Sequence, residues 1–176
     1  TYLSEEGHAC NIAKLMIDAG YKRTQVENAI RLSESPIPVP SKGRGIKSGS
    51  KPISEYRREF GDKIGHFWIL QHTKGRSYKT TFFDTNYWKS EVHNAFALGV
   101  GDIASLSLWG NRSERHRMFS EHLYAENVVL TKSGDREVYE WQQIPGRDNH
   151  LFDGVVGCLV AASILGIRKP NETKTI

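Results

Sequence analysis

The stretch Asn11–Ser41, NIAKLMIDAGYKRTQVENAIRLSESPIPVPS, decides the fold. Asn11 to Ile17 is apolar enough for a mostly buried strand, and it ends on Asp18-Ala19-Gly20. Lys22 to Ser33 then reads as a helix, with Val26, Ala29 and Ile30 on one face. Ile37-Pro38-Val39-Pro40 is a short extended piece, a sheet strand whose prolines limit its hydrogen bonding. Strand, helix and strand in succession point to a layered α/β fold.

The chain outward from this stretch continues the alternation. Ser41 to Pro52 is rich in Gly, Ser and basic residues and reads as a flexible loop. Ile64–Gln71 and Ser77–Phe83 are aromatic and β-branched, so they form a hairpin around His72-Thr73-Lys74-Gly75-Arg76. Thr85 caps a helix to about Leu98, with Trp88, Val92 and Phe96 at helical spacing. Ile103–Leu108 alternates like a strand, and Ser113 opens a helix through Met118, Phe119 and Leu123. A second hairpin joins Ala125–Thr131 to Glu137–Gln142 across Ser133-Gly134-Asp135. Asn149 caps a closing helix from His150 to Leu165, and Arg168–Ile176 is a frayed tail. At 176 residues the chain suits a single domain, here 1–167.

Composition narrows the function. A chain with 38% apolar residues builds a core, so wholesale disorder is excluded. Two cysteines, Cys10 and Cys158, exclude a disulfide scaffold or a Cys-rich zinc domain; Cys158 reads as a small core residue. The run Leu151–Ile167 is broken by Asp153 and three glycines and is too short to span a bilayer, so no membrane role is expected. The N-terminus has no signal-peptide pattern, and Thr1 at its start reads as part of a longer chain. The net charge of +4 is unevenly spread. Lys42 to Lys79 holds ten basic residues against three acids, a surplus of seven, while the remainder is mildly acidic. Tyr56, Phe60, Phe67, Trp68 and Tyr78 lie among them. Such a segment suits a polyanion such as nucleic acid; the alternative is a solvated loop that aids solubility.

Two carboxylates are candidates for chemistry. Asp153 sits in HLFDGVVGCLVAASILGI, which is apolar nearly all round, so it needs a partner: a hydrogen-bonding group, a base or a metal ion. His150 lies three residues earlier on the same helical face. An Asp in a first helical turn is also stabilised by the helix dipole alone. Asp18 ends a strand before a glycine, where sites gather in open α/β sheets, although Asp-Ala-Gly also makes a plain Asx turn. A strand-end acid and a closing-helix acid can share two Mg²⁺ or Mn²⁺ ions, which stabilise both oxygens in a displacement at phosphorus. With the basic segment, this makes phosphodiester hydrolysis the sharpest enzymatic reading. Asp84 could be a third carboxylate, or part of the cap Asp84-Thr85-Asn86. Neither a P-loop nor a dinucleotide fingerprint is present, and the histidines lack zinc-ligand spacing.

Read in order, these motifs resemble the C-terminal nuclease domain of the large terminase subunit of tailed bacteriophages, the GpA type of the lambda-like packaging motors. The matching segments are Thr1-Tyr2, IAKLMIDAG, Ile37-Pro38-Val39 with Ser41-Lys42-Gly43, Asp84-Thr85-Asn86-Tyr87-Trp88-Lys89, and Asn149, Asp153, Cys158 and Ala161-Ala162 in the last helix. The resemblance implies an RNase H-like mixed sheet flanked by helices, here with an inserted β-hairpin. It implies a metal-dependent endonuclease that cuts double-stranded DNA through two Mg²⁺ or Mn²⁺ ions. Asp18 and Asp153 map to metal-binding acids and His150 to an assisting group. Lys42, Arg44, Lys47, Lys51, Arg57, Arg58 and Lys89 are expected to hold the DNA backbone. The family's first-strand acid is not matched, since its strand should precede that of Asp18, where the acids are Glu5 and Glu6. Expected partners are the terminase small subunit and the portal, in the host cell cytoplasm. The alternatives are a non-catalytic DNA-binding or portal-docking domain, and an unrelated α/β protein with structural carboxylates.

Overall fold

The computed structural model describes residues 2–4, 6–72 and 75–167. Thr1, Glu5, the turn residues Thr73 and Lys74 and the expected frayed tail lie outside them. The elements in chain order are β1 (Tyr2–Leu3), β2 (Ala9–Cys10), β3 (Leu15–Asp18), α1 (Arg23–Leu32), β4 (Pro38–Arg44), β5 (Lys63–Gly65), β6 (Trp68–His72) and β7 (Lys79–Asp84). They continue with α2 (Thr85–Ala97), α3 (Arg117–Leu123), β8 (Glu126–Ser133), β9 (Arg136–Gln143) and α4 (His150–Ile164).

A five-stranded mixed sheet has the order β3-β4-β7-β6-β5. The strands β3, β4 and β7 run parallel, and β7, β6 and β5 form an antiparallel meander. The expected strand–helix–strand unit is therefore β3-α1-β4. Its first strand is shorter than the apolar run predicts and lies at the sheet edge, where Leu15 is exposed. The prolines of β4 do not keep it out of the sheet interior. Pro38 and Pro40 lie where β4 pairs only with β3, and the ladder to β7 begins at Ser41. So Ser41–Arg44, expected in a loop, is strand.

The side chains of β6 and β7 alternate between two cores. Trp68 and Phe83 face the larger one, with Trp88 and Val92 of α2, Leu123 of α3 and Phe152, Val156 and Val160 of α4. Trp68 Nε1 donates to Ser163 Oγ at 3.0 Å, which fixes α4 against the sheet. Ile69 faces the smaller core with Ile46 and Ile53, covered by Phe82 and Tyr56.

Local chemistry explains the remaining departures. Asp84, not Thr85, is the N-cap of α2; its carboxylate accepts the N–H groups of Asn86 and Tyr87. Ile103–Leu108 forms no strand but a turn and irregular chain: Ser105 N–H donates to Asp102 O, and Leu106 N–H to Ala95 O. The second hairpin is present as β8-β9, a two-stranded sheet separate from the five-stranded one. Cys158 is exposed, contrary to a core role.

Truncating Phe152, which is fully buried, to alanine should cost about 3–5 kcal/mol in urea unfolding. His93 stacks on Trp141 with ring centroids 4.5 Å apart, and burial lowers its pKa below the ordinary 6.5. The native state thus binds this proton less readily than the unfolded chain does, so His93 favours folding above pH 6.5, and that contribution is lost as pH falls below it. Melting temperature should decline on that acid side, and His93→Gln should flatten the decline.

Candidate active site

The carboxyl end of β3 and the first turns of α4 line one cleft of about 810 Å³. Asp18 and Gly20 from the β3 end and His150, Asp153, Gly154 and Gly157 from α4 line it. Lys42 and Gly43 of β4, with Lys89 of α2, also line it. The sequence-predicted residues Asp18, His150, Asp153 and Lys42 therefore meet in one cleft.

Each is held by local structure. Asp18 ends β3, and its Oδ1 accepts the Gly20 N–H at 2.8 Å. The Asx turn and the strand-end placement thus coexist. A Cβ on Gly20 would stand 3.1 Å from that oxygen, so glycine leaves the carboxylate room. A Cβ on Gly43 would stand 2.4 Å from Thr85 Cγ2, so glycine also permits the close approach of β4 to α2.

Asp153 has the partner its apolar helix required. Its Oδ1 lies 3.1 Å from Lys89 Nζ, while the side chain stays 50% exposed to the cleft. The helix is apolar all round yet not buried all round, because Gly154 and Gly157 open one face to the cleft. His150 is exposed and lies 3.9 Å from Asp148.

Lys89 departs from the expected surface role. It is buried, and its ammonium also contacts Glu126 Oε1 at 2.5 Å. The same Glu126 oxygen accepts from Asn149 Nδ2, so Asn149, the N-cap residue of α4, gives its side chain to this network and not to its own helix end. Glu126 was missed by sequence reasoning. The signal was in Lys89, which falls between Trp88 and Val92 on the apolar stripe of α2 and so needs a buried acid.

The other basic residues divide. Arg44 and Arg57 line a second, polar cleft on the opposite face of the sheet, with Arg23, Glu59, Asp62 and Gln71; Lys42 borders both clefts. The Arg44 guanidinium lies 4.6 Å from the Phe82 ring centroid. Lys47, Lys51 and Arg58 are exposed on the intervening chain. Asp84 lines neither cleft; its carboxylate is buried in the α2 cap, and that burial raises its pKa.

The donors of the first cleft suit a hard cation, since both acids offer carboxylate oxygens. Among the described residues, no three His, Cys, Asp or Glu side chains are grouped as a metal set.

A family model, that of the terminase large subunit gpA endonuclease domain, matches residues 1–174. The chain belongs to this family of endonuclease domains from DNA-packaging terminases. No curated protein and no solved structure matches it.

Losing one partner of a buried ion pair leaves an uncompensated charge. Lys89→Met should therefore destabilise the protein by about 3–5 kcal/mol, and adding Glu126→Gln should recover much of that loss. Urea unfolding of the single and double variants measures both.

Proposed function

We propose that this domain hydrolyses phosphodiester bonds of double-stranded DNA in a metal-dependent, RNase H-like site during packaging. One observation carries the reading. In a chain of the terminase endonuclease family, the strand-end Asp18 and the helix-borne Asp153 line the same cleft.

In this reading Asp18 and Asp153 hold two Mg²⁺ or Mn²⁺ ions. Bound there, the ions supply charge stabilisation at the attacking and leaving oxygens of an in-line displacement. The remaining work falls to protein side chains. Asp18 is oriented by its turn, and Asp153 by the Lys89–Glu126–Asn149 network. His150, exposed at the cleft wall, is placed to accept or return a proton at an imidazole nitrogen. Lys42 meets the phosphate backbone at the cleft, and Arg44, Arg57, Lys47, Lys51 and Arg58 extend the positive surface beyond it. The terminase small subunit and the portal are the proposed protein partners, and the host cell cytoplasm the proposed setting.

A second reading, a DNA-binding or portal-docking module without catalysis, draws on those basic residues that lie away from the cleft. It predicts salt-sensitive DNA binding that ignores Asp153.

Supercoiled plasmid with Mn²⁺ separates the two. The nuclease reading expects nicking by the wild-type chain and its loss in both Asp18→Asn and Asp153→Asn, with melting temperatures showing that each variant folds. Cleavage that survives Asp153→Asn, or DNA binding without cleavage in any variant, would overturn it.

A further inference from the structure

Lys89 puts a positive charge where the nuclease reading needs a divalent ion. Its ammonium is 3.1 Å from Asp153 Oδ1, and its side chain is only 10% exposed. It cannot swing freely into solvent, because Glu126, with a side chain 2% exposed, binds it from the buried side. The Phe152 ring lies 5.3 Å away and closes a further side. Glu126 is itself fixed by Asn149. So the ammonium is anchored at the cleft lining and directed at the oxygen of a candidate metal ligand.

We propose that Lys89 is a positioning residue that weakens divalent-ion binding at Asp153, by occupying Oδ1 and by repelling a second cation. This rests on the reading of Asp153 as a metal ligand. A unit charge a few ångströms from a divalent ion opposes its binding by at least about tenfold even at the dielectric of water. The phosphates of DNA bring the missing negative charge. Ion and DNA therefore bind cooperatively, and the free domain stays poorly loaded with metal. Linkage makes the effect reciprocal: the ion strengthens DNA binding as much as DNA strengthens ion binding.

The test is a Mn²⁺ titration without DNA, with free Mn²⁺ followed by electron paramagnetic resonance. Four proteins are compared: wild type, Asp153→Asn, Lys89→Met and the double variant Lys89→Met/Glu126→Gln. The double variant removes both buried charges, so the result stands even where the single variant fails to fold. The expected result is Mn²⁺ affinity higher by about tenfold or more in Lys89→Met, higher by a smaller factor in the double variant, which also loses the Glu126 charge, and lower in Asp153→Asn. Unchanged or weaker Mn²⁺ binding in the double variant, with Asp153→Asn still impaired, overturns the role of Lys89 and leaves the nuclease reading standing. Mn²⁺ binding indifferent to Asp153→Asn overturns both.

Discussion

A lysine on the apolar stripe of a helix must be answered by negative charge, and in this fold the answer comes from two directions. Glu126 at the start of β8 meets the Lys89 ammonium from within, and Asp153 on α4 meets it at the cleft. Asn149 ties the first turn of α4 to the same Glu126 oxygen. Three elements distant in sequence are thereby pinned at one point. Hydrophobic packing of Phe152, Val156 and Val160 holds α4 onto the sheet. The charged contacts are directional, and they set where along the wall of the cleft the Asp153 carboxylate stands.

The place of Asp18 in the cleft follows from strand topology. In a sheet with parallel β3, β4 and β7, turns and helix starts gather at the carboxyl edge. Asp18 stands at the end of β3, and Asp84 at the end of β7. The two acids have different fates for a local reason. Asp84 is followed directly by α2 and turns its oxygens to the Asn86 and Tyr87 N–H groups. Asp18 is followed by Ala19-Gly20 and a left-handed Lys22 before α1 begins, so its carboxylate remains at the cleft.

Much of this was legible in the sequence, and the failures are instructive. The β3-α1-β4 unit, the β8-β9 hairpin, α2 and α4 announce themselves through hydrophobic period and turn residues, whereas the expected strand Ile64–Gln71 is broken at His66-Phe67 into β5 and β6, and only β6 pairs with β7. The gathering of Asp18, His150 and Asp153 follows from strand-end and helix-face placement. What the sequence hides is set by tertiary pairing. Ile103–Leu108 alternates like a strand but has no partner edge, so its hydrogen bonds go to turns and to the end of α2. Glu126 sits in a hairpin of ordinary composition, and nothing near it in sequence reveals that it is buried. Lys89, grouped by charge with the surface lysines, belongs by helical phase to the core. Charge counts along a chain ignore which face a residue occupies, and phase was the better guide.

The account rests on Asp18 and Asp153 acting as one site. The most direct measurement is anomalous scattering from crystals of the domain soaked with Mn²⁺ and a short DNA duplex. The account predicts manganese peaks within coordination distance of both the Asp18 and Asp153 carboxylates, bridged by a DNA phosphate. Manganese bound elsewhere, or at one acid with the other turned away from the DNA, would contradict it.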